Sequence, residues 1–310
     1  KLAGKLAAAA PSHGPLTENN RTHVRSQWAA MIVAALQMNV GERKDDNLAR
    51  AVHLIDEAAR RGARFVMLPE YVVYRGPESR YADVAESVPG PTTTLLAGKA
   101  REHNIFIHGG SLLEFAPQKG KFFNTSVLID SSGSIRAVYR KVHLFDVEVT
   151  GEVARQESRL IAPGDELVVA ELPEFTLGMS ICYDLRFPEL FRALAEAGAT
   201  VMALPAAFAA ATGRFHWEIL VRARAIENHA YVIAAAEWGV CGGFPTHGHS
   251  MIVDPWGTVL CEAADGDTVL TAEVSGGEAQ RRRGQIPVLS QRRRDVYERP
   301  VHAYRAGDGA

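Results

Sequence analysis

Cysteine is scarce in this chain, with three among 310 residues: Cys182, Cys241 and Cys261. So odd and sparse a set excludes a disulfide framework and points to a reducing compartment, the cytoplasm. Long apolar runs are missing too. The nearest, over residues 201–211, is rich in alanine and broken by Pro205, well short of the roughly 20 residues a membrane helix requires. Charge of one sign is also lacking: 34 basic residues against 36 acidic ones leave a net charge of −2. Neither nucleic acid nor an anionic membrane is therefore expected as a partner. The short arginine clusters at 281–283 and 292–294 carry no interleaved aromatics and read as solvated surface or a subunit contact. No linker rich in proline, glycine or serine follows residue 31.

What is present describes a globular protein with ample core, 47% hydrophobic and 23% charged. Residues 1–30 stand apart, basic and almost free of acids. They read as a disordered extension, with a mitochondrial targeting segment as the alternative. One domain is expected over 31–298, with a short tail over 299–310. It opens with an apolar run at 31–36, followed by Leu48, Ala51, Val52, Ile55, Ala58 and Ala59 at helical spacing, then a strand at 64–68. A helix over 91–103, a strand at 105–108 and a hairpin around Ser131-Ser132-Gly133 come next. The second half repeats the theme: a strand at 177–181, a helix from Pro188, a strand at 200–204, a helix over 214–228, and strand-like segments near 231–236, 250–253 and 258–261. Strand–helix–strand units mixed with hairpins predict an α/β fold of two mixed sheets packed face to face under helices, a four-layer αββα sandwich.

Three reactive side chains fall where predicted strands end: Glu70 after Leu68-Pro69, Lys141 after Tyr139-Arg140, and Cys182 after Ser180-Ile181. Singly, each has a plainer reading: a loop carboxylate, a surface lysine, a core thiol. Together they offer a base, a cation and a nucleophile for attack on a carbonyl or nitrile carbon. A helix start beside Cys182 and a nearby lysine are expected to favour its thiolate. Cys241 and Cys261 read as small buried residues. His247-Gly248-His249 looks like half a metal site, but only Cys241 stands near enough to complete it.

These stretches resemble the nitrilase superfamily of carbon–nitrogen hydrolases across residues 31–298. The likeness rests on Leu68-Pro69-Glu70, Tyr139-Arg140-Lys141-Val142-His143, Cys182-Tyr183-Asp184-Leu185-Arg186, His216-Trp217-Glu218 and Gly248-His249-Ser250-Met251. It is strongest for the Nit branch, which includes deaminated-glutathione amidases and ω-amidases. The resemblance implies a Glu-Lys-Cys triad: Glu70 as general base, Cys182 as nucleophile forming a thioester, and Lys141 with the Tyr183 N–H as oxyanion donors. It also implies that Glu157, in Gln156-Glu157-Ser158, positions Lys141, and that Arg186 grips a substrate carboxylate. It implies no metal or cofactor, a small-molecule amide as partner, and a homo-oligomer of two or more copies. Deaminated glutathione is the first substrate expected, α-ketoglutaramate-like ω-amides the second, with N-carbamoyl amino acids and nitriles behind. Arg214-Phe215 after Thr212-Gly213, and residues 71–74, depart from the branch pattern, and both segments are expected to border the pocket. Two rival readings remain: a non-catalytic scaffold on the same fold, and a papain-like thiol protease, which would need a histidine base.

Overall fold

Strand β1 (Met31–Gln37) shows how the layers of this protein arise. Val33 and Ala35 join one apolar cluster, Ala34 and Leu36 another. β2 (Phe65–Met67) divides the same way, Phe65 and Met67 against Val66. Successive side chains on a strand point to opposite faces. Strands apolar on both faces therefore need a packed layer on each side.

The computed structural model describes residues 29–302 apart from Thr150 and Glu152. The expected extension over residues 1–28 and most of the tail, 303–310, lie outside the described residues. After β1 and β2 come β3 (Phe106–His108), β4 (Leu112–Phe115), β5 (Phe122–Ile129), β6 (Ile135–Arg140) and the hairpin β7 (Asp146–Val149) with β8 (Val153–Gln156). The second half adds β9 (Val169–Glu171), β10 (Thr176–Met179), β11 (Val201–Ala206), β12 (Tyr231–Ala236), the hairpin β13 (Trp238–Cys241) with β14 (Phe244–His247), β15 (Met251–Val253), β16 (Val259–Glu262) and β17 (Thr268–Val274). One sheet runs β17-β1-β2-β3-β5-β4, with β6 also on β5; the other runs β16-β15-β12-β11-β10-β9. Strands β1, β2 and β3 are parallel, as are β10, β11 and β12.

Helices α1 (Lys44–Arg60) and α3 (Pro91–His103) cover the outer face of the first sheet, and a one-turn α2 (Tyr81–Val84) lies between them in sequence. Helix α1 buries Ala51, Leu54, Ile55 and Ala58 at three-and-four spacing. Helices α4 (Pro188–Glu196) and α5 (Ala210–Asn228) cover the second sheet, with Leu190, Phe191, Leu194, Trp217 and Val221 in its cluster. Both α3 and α4 carry proline at the first turn, where its missing N–H costs no bond. Shorter helices α6 (Gly276–Gln285) and α7 (Arg294–Tyr297) end the described chain. The order of layers is helix, sheet, sheet, helix: the expected αββα sandwich. No helix among the described residues is long and apolar enough to cross a membrane.

The hairpins β7–β8 and β13–β14, strand β17 and helix α6 have no counterpart in the expected elements. Strand β17 pairs with β1 from Met31↔Val274 to Gln37↔Thr268, a partnership no local pattern announces. Helix α5 starts at Ala210 rather than residue 214 and so takes in Gly213, normally a helix breaker, because the close approach of His247 leaves no room for a larger residue there. A Cβ at that position would sit 2.4 Å from the His247 side chain.

Candidate active site

The two sheets bring three strand ends to one rim. Glu70 lies three residues beyond β2, Lys141 one beyond β6 and Cys182 three beyond β10. All three are buried and line a single cavity of about 60 Å³ together with Glu157, Tyr183 and Phe208.

Glu70 is gripped from both sheets. Its Oε1 accepts from Asn124 Nδ2 at 2.8 Å and Lys141 Nζ at 3.0 Å, and its Oε2 accepts from the Ala207 N–H at 2.7 Å. The chain can reach this position because Gly110 passes beneath it with φ of +63°. A Cβ there would fall 2.0 Å from the Pro69 carbonyl oxygen. Tyr71 then turns through a left-handed φ of +50°, its N–H held by Ser111 Oγ at 3.0 Å.

Lys141 donates to Glu157 Oε2 at 2.9 Å and Oε1 at 3.1 Å. Glu157 in turn accepts from the Phe145 N–H at 2.6 Å and the Tyr71 hydroxyl at 2.8 Å. The β7–β8 hairpin brings Glu157 back to Lys141, with Asp146 paired to Gln156 at its base. Burial alone would push the ammonium of Lys141 toward neutrality, but Glu157 and Glu70 override it and hold the pKa above the ordinary lysine range. Burial likewise works against the Glu157 carboxylate, yet Lys141, the Phe145 N–H and the Tyr71 hydroxyl bring its pKa below the ordinary value.

Cys182 occupies a sharp elbow, with φ of +47° at the start of the 3-10 turn Cys182–Arg186. Such a conformation is uncommon for a residue with a Cβ and is held by its surroundings. Asp184, fully buried, supplies the hold. It accepts from the Ile181 N–H at 2.8 Å, the Tyr139 hydroxyl at 2.6 Å and the His143 N–H at 3.1 Å. One carboxylate thus ties the Cys182 elbow to the segment bearing Lys141. The expectation of a resting thiolate does not hold. Burial, reinforced by the Glu70 charge, pushes the Cys182 pKa well above the ordinary thiol value, and the nearby Lys141 does not cancel this. The thiol is therefore neutral at rest, with Glu70 as its negatively charged neighbour.

Arg186 departs from its expected place. It is not among the cavity-lining residues; its guanidinium lies over Phe208 at 5.0 Å, with Nη1 3.2 Å from His216 Nδ1. The arginines that line the cavity are Arg75 and Arg155. Of the two segments expected at its border, Tyr71 and Thr212 line it, whereas Phe215 is 61% exposed. Sequence reasoning missed Asn124, Asp184, Arg75, Arg155 and Phe244. Only Asp184, adjoining the cysteine motif, carried a usable signal. Cys241 is buried as expected, whereas Cys261 is partly exposed. His247 and His249 stack at 4.6 Å outside the cavity lining, and His249 pairs with Glu262.

Residues 32–283 match the family model for carbon–nitrogen hydrolases. The omega-amidase NIT2 of Mus musculus is 39% identical over 86% of this chain and 96% of its own length. The C. elegans NitFhit protein has a solved structure that superposes with a TM-score of 0.82 at 36% identity, covering 87% of this chain and 66% of that one. An amidase from Nesterenkonia sp. AN1, solved with the acetamide moiety of fluoroacetamide added to its active-site cysteine, matches with a TM-score of 0.72 at 26% identity. That match covers 86% of this chain and 95% of the other.

Two outcomes follow for the buried charges. Glu157→Gln removes one partner of a buried pair, expected to cost about 3 kcal/mol at neutral pH. A depressed carboxylate pKa contributes stability that is present above the unfolded value and lost as pH falls through the folded one. Urea denaturation should therefore show the gap between wild type and variant closing as pH drops below about 4. For Cys182, iodoacetamide alkylation followed by intact mass should keep accelerating above pH 9; a plateau by pH 8 contradicts the neutral thiol.

Proposed function

The chain belongs to the carbon–nitrogen hydrolase family and is an amidase, and we propose that it is an ω-amidase working through a thioester on Cys182. The observation that supports this reading is the convergence of Cys182, Glu70 and Lys141 on one small cavity, with Lys141 Nζ donating to Glu70 Oε1 at 3.0 Å. In the proposed mechanism Glu70 takes the thiol proton as Cys182 Sγ attacks the amide carbon. Negative charge then grows on the amide oxygen, where the Lys141 ammonium and the Tyr183 N–H receive it. Glu70 returns the proton to the leaving nitrogen, ammonia departs, and a thioester remains. Glu70 next deprotonates a water that attacks the thioester carbon, releasing a carboxylic acid and restoring the thiol. Glu157 keeps Lys141 charged and aimed, and so acts as a positioning residue.

Several features bear on the substrate. The relatives named as omega-amidases, 37–40% identical over 86–87% of the chain, favour ω-amides ahead of deaminated glutathione. The covalent adduct on the Nesterenkonia enzyme's cysteine favours the nucleophilic role given to Cys182. The base in this reading is a carboxylate, which sets it apart from a papain-like protease. A cytoplasmic location, with the mitochondrion as the alternative, is also part of the proposal, and the sparse, odd cysteine set favours it. Self-association is also part of the proposal. Phe215, Ile219 and Ile226 on α5, together with Trp256, are 47–69% exposed, and a second copy would cover this apolar face.

Ammonia release from a panel of short ω-amides tests the reaction. Cys182→Ala and Glu70→Gln should abolish it, and Lys141→Met should lower kcat by about a hundred- to thousandfold, the usual cost of one oxyanion donor. A Cys182→Ala variant that retains activity removes the mechanism; wild type inert on every amide favours the scaffold. For assembly, sedimentation should show a dimer or larger species that Ile219→Asp shifts toward monomer.

A further inference from the structure

The cavity holds more positive charge than the proposed reaction uses. Lys141 is committed to Glu70 and Glu157, yet Arg75 and Arg155 also line the wall. They come from distant segments, the turn after Glu70 and strand β8, and meet at one ring. The Arg75 guanidinium lies 4.9 Å from the centroid of Phe244 and that of Arg155 lies 4.8 Å from it, while Tyr71 flanks Arg75 at 5.1 Å.

Each guanidinium faces a carboxylate at ion-pair distance but makes no hydrogen bond to it. Arg75 Nε stands 3.6 Å from Glu237 Oε2, and Arg155 Nη1 stands 3.6 Å from Glu78 Oε1. Both gaps exceed hydrogen-bond range. Arg75 Nε is a buried donor without an acceptor, and both oxygens of the fully buried Glu237 lack a donor. Among the described residues, neither arginine donates a hydrogen bond from its side chain. Glu78 leans instead on Arg159. Two cations packed against one ring repel each other, and the unused buried Nε of Arg75 is costly. An anion between them relieves both penalties. A planar carboxylate matches a guanidinium fork.

We infer that Arg75 and Arg155, both packed against Phe244, form the subsite that binds the free carboxylate of the substrate. The inference rests on the amidase mechanism above for which bond is cut. It assigns carboxylate recognition to the turn after Glu70 and to the β7–β8 hairpin, away from Arg186. The modest size of the cavity keeps the carboxylate and the amide on one short molecule.

Calorimetric titration of the full chain with glutarate, a five-carbon dicarboxylate, tests the subsite without turnover. Arg155→Gln, at a partly exposed position, is expected to weaken glutarate binding at least tenfold. Arg75→Lys should do the same, because it keeps the charge beside Glu237 while losing the fork; circular dichroism checks its fold. Arg186→Gln should bind as wild type does. With glutaramate and butyramide as substrates, Arg155→Gln should raise the ratio of the two KM values, anionic over neutral, by tenfold or more. Unchanged glutarate binding in Arg155→Gln, or its loss in Arg186→Gln, overturns the inference. Glutarate binding that depends on both arginines in a protein that cuts no amide leaves the subsite standing and removes the amidase mechanism instead.

Discussion

A single ammonium group, that of Lys141, imposes the main constraint on this molecule. It is 2% exposed and makes three charge-assisted contacts, one to Glu70 and two to Glu157. Moving an ion out of water costs several kcal/mol even after relaxation, so such a group persists only where opposite charges are already waiting. Glu70 must therefore stay at the end of β2 and Glu157 at the end of the β7–β8 hairpin. Glu70 is held in turn by the Ala207 N–H of the other sheet. The buried charge thus links elements that share no strand pairing.

Burial first, and then the charge of Glu70 beside it, explains why the thiol rests neutral. A thiolate there would be one more buried negative group next to Glu70, which the nearby Lys141 does not offset. In the proposed mechanism the proton leaves only as the carbon–sulfur bond forms and charge moves to the oxyanion donors. Asp184 contributes by geometry. It holds the left-handed turn at Cys182 and the segment carrying Lys141 with one set of bonds, so nucleophile and cation share a common anchor.

Much of this was legible in the sequence, and the reasons are specific. The continuous apolar runs of β1 and β2 and the three-and-four spacing in α1 are local signals, and each produced an element close to the one observed. Glu70, Lys141 and Cys182 stood out because their motifs lie at predicted strand ends, Glu157 only through the family resemblance, and folding brings the four together. Strand β17 was invisible because its partner lies more than 200 residues away. The β13–β14 hairpin that presents Phe244 has no apolar alternation to mark it. Nothing in the sequence marked Arg75 and Arg155, since only the tertiary fold packs them against one ring. The thiol's ionisation was misjudged because motif and position say nothing about how deeply a residue is buried.

The contribution of both sheets to one rim has a further consequence. Glu70 and Lys141 ride on the first sheet and Cys182 on the second, and what joins the two there is apolar packing with a few single bonds, those of Glu70 to the Ala207 N–H and of Asp184 to Tyr139 and His143, which resist sliding far less than a hydrogen-bonded ladder resists slipping register. Reaction rate therefore gauges how the two halves of the molecule are seated on each other. Warming or mild denaturant that lets them shear by a fraction of an ångström would silence the enzyme while every strand and helix was still intact.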